Sequence, residues 1–264
     1  MTKIGLILVT LFILAGLFAP FLITHDPKST DISHRFSPPS HTHWLGQDKL
    51  GGDIYSKIIY GARISLTVAI VSTLLSFFIG LLLGSLAGYY GGWWDECLMR
   101  LVDILLAFPG LLLIFALAAF LSPSLLNVIM LFSIVGWTGF ARVTRAQVLS
   151  EKEKEFVQAV RSLGANHSRI LIRHIWPNIL SPLIVQASFV MGGIIIGESS
   201  LSFLGVGVPP DIPSWGNMLS LAKQSSFQPG FIAIFPGIAI MLTVLGFNFI
   251  GDGLRDLWDP KLKK

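Results

Sequence analysis

Charged side chains are scarce in this sequence. They make up 13% of 264 residues, against a hydrophobic share of 53% and a mean hydropathy of +0.71. That balance excludes an ordinary soluble domain and places the chain in a membrane. Cysteine is scarcer still: the single Cys97 excludes an intramolecular disulfide framework and any Cys-rich metal site. No Gly-Lys dipeptide occurs anywhere, so the Gly-rich loop that ends in Gly-Lys-Ser/Thr and cradles nucleotide phosphates is missing. The chain is therefore not an ATPase, and no cofactor is implied for it. No Ser/His/Asp or Cys/His pairing has the spacing of nucleophilic catalysis, and Ser199-Ser200 has no base nearby in sequence. A membrane-embedded enzyme would need such residues. A net charge of +4 invites nucleic acid as a partner, but extra cytoplasmic Lys and Arg on a membrane protein account for it.

What the sequence has instead is a series of uncharged apolar runs. The first fills the stretch between Lys3 and His25, long enough to cross roughly 30 Å of hydrocarbon at about 1.5 Å per residue. It is read as an uncleaved first span over 1–24, since Pro20 beside the Ala19 candidate site would hinder a signal peptidase. Residues 25–63 are polar and rich in Pro, His and Asp, an extracytoplasmic segment with a short interfacial helix around Ile54, Ile58 and Ile59. Ile64 to Trp94 is uncharged and carries Gly80, Gly84 and Gly88 at every fourth position, a ridge that lets another helix approach closely. Asp95 to Asp103 is a charged interruption, in which Arg100 lies one turn from Asp103 and suggests a structural ion pair. Ile104 to Ala141 is too long for one span and is divided at Ser122-Pro-Ser124. Ile175 to Gly197 and Phe231 to Ile250 complete six spans.

Most of the basic residues lie in Arg142–Arg173 and near the two ends, which places both termini in the cytoplasm. The expected fold is thus an all-α membrane protein of six transmembrane helices. Residues 64–264 form a five-span core with a loop at 150–177 between spans four and five and a cytoplasmic C-terminal tail.

That loop, SEKEKEFVQAVRSLGANHSRILIRHIWP, is the most charged part of the chain. Ser150 with Glu153 matches a capping box; Phe156, Val160 and Leu163 form a narrow apolar stripe; Gly164 suits a left-handed helix end; Asn166 can cap the next helix. It resembles the cytoplasmic coupling loop of ATP-binding-cassette importer permeases, whose pattern is Glu-Ala-Ala, three residues, Gly, nine residues, Ile, one residue, Leu-Pro. Ala159, Gly164 and Pro177 fall in register, while Gln158, Val160, His174 and Trp176 depart from the pattern. Four further segments resemble the di-/oligopeptide and nickel branch of that family: His43–Leu66, Leu98–Pro109, Ser202–Leu219 and Phe247–Leu262.

The resemblance implies a transmembrane permease subunit that forms half of a translocation pathway. Its implied partners are a homologous second permease subunit, two nucleotide-binding ATPase subunits and an extracytoplasmic solute-binding protein, all in or on the lipid bilayer. It carries di- or oligopeptide import as the expected function, with nickel or metallophore import as the alternative and a self-sufficient channel or ion-coupled carrier as a different class. A carrier would show midplane charges or broken helices in matching halves, which the sequence lacks. Coupling to the ATPase is expected of Phe156, Gln158, Ala159, Val160, Leu163, Gly164, Ala165 and Pro177.

Glu198, at the end of a long uncharged run, is expected to line the pathway, face a partner helix or reach interfacial water. For Trp215, in PPDIPSWGNML, the resemblance implies a loop that helps form the external gate or meets a solute-binding protein, while the residue itself also reads as an interfacial anchor. His25, His34, His41 and His43 lie in an irregular segment and read as polar loop residues rather than a metal site.

Overall fold

A computed structural model describes residues 2–223 and 229–258; the expected tail residues Lys261, Lys263 and Lys264 lie outside them. Most of the described residues are helical, including one 3-10 turn at Ile32–His34, with no strand among them beyond one isolated bridge between Gln47 and Asp53. The helices are α1 (Thr2–Leu17), α2 (Ala19–Leu22), α3 (Ile54–Tyr90), α4 (Gly92–Leu106), α5 (Gly110–Ala118), α6 (Leu125–Glu151), α7 (Glu155–Ser162), α8 (His167–Arg169), α9 (Trp176–Phe203), α10 (Trp215–Lys223) and α11 (Phe231–Trp258). A π-helical turn, Ile170–Ile175, joins α8 to α9.

Four helical stretches are long and apolar enough to cross a membrane: Ile54–Tyr90, Leu125–Glu151, His167–Phe203 (α8, the π-helical turn and α9 together) and Phe231–Trp258. The third span expected from the uncharged run beginning at Ile104 takes another form. α4 and α5 meet at an 82° bend, where Pro109 precedes the first residue of α5. A proline has no N–H to continue the ladder of α4, and the residue before it disfavours the helical region. Counted as one broken span, the pair makes five.

The second long helix also starts earlier than its charge pattern suggests. Asp53 caps α3, its carboxylate accepting from Ser56 N at 2.8 Å. The helix then runs without a break through Lys57 and Arg63, so the expected interfacial helix is simply its first turns. Gly91, at φ 67°, ends it in a conformation that a side chain would oppose.

α3 is the spine, packed on α6, α9 and α1, while α11 closes the other side against α9 and α1. Its seam with α6 is built on small residues. Cβ atoms added at Gly80, Gly84 or Gly88 would strike the backbone or Cβ atoms of Phe140, Ala141, Thr144 and Val148. Two serines continue the row by the same four-residue step: Ser72 Oγ donates to Ile129 O (3.2 Å) and Ser76 Oγ to Ser133 O (3.4 Å). Partners thus advance together, 72 with 129 and 88 with 148, which makes the two helices parallel. Opposite the seam, large apolar side chains such as Leu75, Phe78, Leu82 and Leu86 are exposed, as suits a surface that meets lipid or another membrane subunit.

The charges near Asp103 pair differently from the local expectation. Asp103 accepts from Arg142 Nη2 at 2.6 Å, and Asp95 holds Arg145 through both carboxylate oxygens at 2.5 and 2.6 Å. Arg100 is passed over because the α4–α6 contact brings a better-placed guanidinium to each carboxylate.

Candidate functional site: the loop between α6 and α9

Past α6 the chain reverses in a compact unit. α6 runs through Ser150 to Glu151, and the cap of α7 is Lys154, without a side-chain bond. The capping box expected at Ser150 and Glu153 is therefore not formed: an established helix propagates through a residue that would start a new one in isolation. Two other bonds hold the junction. Lys152 Nζ donates to Gly88 O at 2.9 Å, placing a cation on the carbonyl end of α3, and Gln158 Nε2 donates to Lys152 O at 3.0 Å. The second bond needs an amide donor, which a glutamate at that position could not supply.

The end of α7 has the geometry of a Schellman motif. Gly164 N donates to Arg161 O (3.0 Å), Ala165 N donates to Val160 O (3.3 Å), and Gly164 sits at φ 79°. Val160 and Ala165, the pair this motif brings together, are both packed on the cluster formed by Val157, Ile170, Leu171 and Ile175. Asn166 then caps the next turn, its Oδ1 accepting from Arg169 N at 2.9 Å. Pro177 lies in the first turn of α9, just after the π-turn, where its missing N–H withholds a bond from the residue four back.

The apolar residues of α7 serve two directions. Val157 is fully buried, while Phe156 and Leu163 are 40% and 86% exposed, and Ala159 is exposed beside them. At helical spacing these three share one face, turned away from the protein. Behind α7 the loop is fastened to α3: Tyr89 Oη lies 3.0 Å from His167 Nδ1, Arg161 stacks over the Tyr89 ring, and Trp176 Nε1 donates to Ser85 Oγ at 2.9 Å.

At the opposite end of the helices, Glu198 is fully buried. Its Oε2 accepts from Ser65 Oγ (2.9 Å) and its Oε1 from Ser202 Oγ (2.8 Å), and Ser202 Oγ in turn accepts from Val208 N (3.1 Å). The carboxylate thus joins α3, α9 and the loop leading to α10, facing partner helices rather than a cavity or interfacial water. Trp215 is likewise no exposed interfacial anchor. It is fully buried, donates from Nε1 to Ile58 O at 3.1 Å and meets Phe12 edge-on at 5.6 Å. Asn217 Nδ2 completes the frame by donating to Val208 O, Pro209 O and Ile212 O at 2.8–3.2 Å, which fixes the proline-rich loop onto α10.

One feature carried no sequence signal. An open groove of about 480 Å³, lined by Val143, Pro182, Val185, Gln186, Phe189 and Arg255, runs between α6, α9 and α11. Gln186 Oε1 is buried there without a hydrogen-bond partner. Among the histidines, His34 pairs with Asp31 at 2.8 Å and holds its carboxyl below the usual range, His41 is exposed, and His25 and His43 both approach Asp53.

Comparisons with known proteins agree with this architecture. Residues 80–264 match the family described as binding-protein-dependent transport system inner membrane component, and residues 1–39 match the N-terminal TM domain of oligopeptide transport permease C. A dipeptide transport system permease protein, DppC, of Alkalihalophilus pseudofirmus is 45% identical over 98% of this chain and 86% of its own length. A glutathione transport system permease protein, GsiD, of Pectobacterium atrosepticum is 45% identical over 97% and 85%. The oligopeptide transport system permease protein OppC of Bacillus subtilis is 40% identical over 100% and 87%. In fold, the chain is similar to a chain of the MetNI methionine ABC transporter in an inward-facing conformation, with a TM-score of 0.62 at 19% identity over 78% of this chain and 98% of that one. The chain belongs to the family of binding-protein-dependent transport system inner membrane components, as a permease subunit of an ATP-binding-cassette importer.

Proposed function

We propose that the protein is one half of the membrane pathway of an importer for di- or oligopeptides, driven through α7 by a separate ATPase. The observation that carries the coupling role is the exposed face of Phe156, Ala159 and Leu163, on a loop whose flanking residues Lys152 and His167 are bonded to α3. A Leu side chain left 86% exposed on the most charged loop of the chain has its natural cover in a partner cleft. ATP-driven closure of two ATPase subunits would push α7 as a rigid body, and the bonds behind it would carry the push into the spans. The peptide class is supported by the dipeptide, oligopeptide and glutathione permeases named among the relatives, and the family-model match at residues 1–39 is also to an oligopeptide permease.

In this reading α1 with α2, α3, the bent α4–α5 pair, α6, α9 and α11 are six spans with both termini cytoplasmic. The groove at Gln186 and Arg255 would form one wall of the pathway, which a homologous second permease completes. The buried frame of Glu198, Trp215 and Asn217 would brace the outer gate, where a solute-binding protein delivers substrate.

The test is uptake of a radiolabelled dipeptide by cells carrying the whole transporter, with unlabelled peptides and Ni²⁺ as competitors. Leu163→Asp should abolish uptake and co-purification of the ATPase, because docking would bury an unpaired carboxylate. Competition by Ni²⁺ but not by peptides would reject the substrate class. Full ATPase retention in Leu163→Asp would reject the docking face.

A further inference from the structure

Outside the parts assigned to transport, one cluster brings metal-ligating groups together from three separated places in the chain. His25 follows α2, His43 lies in the loop before α3, and Asp53 caps α3. His43 Nδ1 stands 3.0 Å from Asp53 Oδ1, and His25 Nδ1 stands 3.9 Å from Asp53 Oδ2. One ligand atom from each of the three lies within 4.8 Å of the others. The two imidazoles are stacked, with centroids 4.3 Å apart and planes 29° from parallel. We propose that His25, His43 and Asp53 form a binding site for a borderline divalent transition-metal ion such as Zn²⁺, which fastens the extracytoplasmic segment to the start of α3.

The donor set selects the ion. Two imidazole nitrogens and one carboxylate suit Zn²⁺, Co²⁺ or Ni²⁺, whereas Ca²⁺ and Mg²⁺ require six or more oxygens or a retained water shell. Around a tetrahedral ion with bonds of about 2.0–2.1 Å, ligand atoms sit about 3.3 Å apart. The separations of 3.0 Å to Oδ1 and 3.9 Å to Oδ2 lie on either side of that value, so closing the set on one ion requires side-chain adjustment around Asp53. Three protein ligands leave a fourth position for water or for Thr24 Oγ1, which lies 3.0 Å from His25 Nδ1.

The supporting shell is already in place. Ser56, fully buried, accepts from Thr24 N (3.2 Å) and His25 N (3.1 Å), fixing the backbone that carries the first imidazole. Ser40 Oγ accepts from His43 N at 3.0 Å, and Ile54 N donates to Gly46 O at 3.1 Å, fixing the second imidazole relative to the cap. Asp53 is 1% exposed, and Oδ2 accepts from Ser56 N at 2.8 Å, so its free lone pairs are directed at the imidazoles. A carboxylate oriented by its neighbours beside two held imidazoles is the arrangement in which outer-shell bonds support a metal.

The experiment uses the full transporter complex, purified without a polyhistidine tag, stripped with chelator and titrated with ZnCl₂ by calorimetry, with CoCl₂ as a spectroscopic probe. The expected result is one tight site per copy of this chain, a tetrahedral cobalt spectrum, and protection of residues 25–53 from protease when metal is bound. His25→Ala, His43→Ala and Asp53→Asn should each weaken binding by more than about tenfold, while His34→Ala and His41→Ala should leave it unchanged. Asp53→Asn keeps a good helix cap, so it tests the ligand without unfolding the segment. Absence of stoichiometric binding, or binding unaltered in both His43→Ala and Asp53→Asn, overturns the proposal. None of these readouts depends on which solute the transporter carries.

Discussion

Gly84→Ala tests the α3–α6 seam at the middle glycine of its row. A Cβ there would press on the Ala141 carbonyl oxygen and lie 2.8 Å from Thr144 Cβ and 3.0 Å from Ala141 Cα, where ordinary contact begins at 3.4 Å. The helices would have to part at this level, most of all at the Ala141 oxygen, and the neighbouring contacts at Gly80 and Gly88 would open with them. Overpacking of this kind costs about 1–3 kcal/mol. Against it stands the intrinsic gain of alanine over glycine in a helix, about 0.5–1 kcal/mol. The net expectation is a loss of about 1 kcal/mol for Gly84→Ala and a larger one for Gly84→Leu.

Gly193→Ala is the internal control. It lies in α9 with nothing within 4 Å of the added Cβ, so only the gain remains. Thermal denaturation of the purified complex in detergent should therefore rank Gly193→Ala at or above wild type, then Gly84→Ala, then Gly84→Leu. A Gly84→Leu protein that melts with the wild type would refute the packing argument.

Two other perturbations follow from the same geometry. Cys97 is exposed on α4, and α4 begins beside the end of α3 that Lys152 binds, so an impermeant thiol reagent should label it in inverted vesicles and not in intact spheroplasts; labelling in spheroplasts would reverse the orientation. Trp215→Phe keeps an aromatic ring but removes both the bond to Ile58 O and part of the indole volume at a fully buried position, and should lower stability by more than the roughly 0.5–1.5 kcal/mol of the bond alone, read as a fall in the melting midpoint of the complex.

How much of this was legible in the sequence depends on the range of the forces involved. Gly164 and Asn166 announced their roles because a Schellman end and an Asn cap are decided within a few residues. Ser122-Pro-Ser124 lies in the break between α5 and α6 for the same reason. The glycine row could be read as a ridge, yet Ser72 and Ser76 belong to the same row and were passed over, because a hydroxyl that bonds across the seam behaves there as a small residue.

Signals that required a choice among partners were misleading. Arg100 is the local candidate for Asp103, but α6 delivers Arg142 instead. Ser150 has the sequence of a cap and sits inside a helix. Of the expected stripe, Phe156 and Leu163 turn outward, while the fully buried residue is Val157, one position along. The His25, His43 and Asp53 cluster had no spacing to detect, since it is made by the chain returning on itself around Ser56.

The most direct test of the central claim is substrate-stimulated ATP hydrolysis by the reconstituted transporter carrying Gly164→Val, measured together with uptake into the same proteoliposomes. Gly164 holds φ 79°, which a β-branched residue strongly disfavours, so α7 should lose its end and its direction while the spans and the outer frame remain assembled. The account predicts that binding protein still docks, that stimulation of hydrolysis is largely lost, and that uptake falls at least about tenfold. Wild-type stimulation and wild-type uptake in Gly164→Val would contradict it and remove the loop between α6 and α9 as the coupling element.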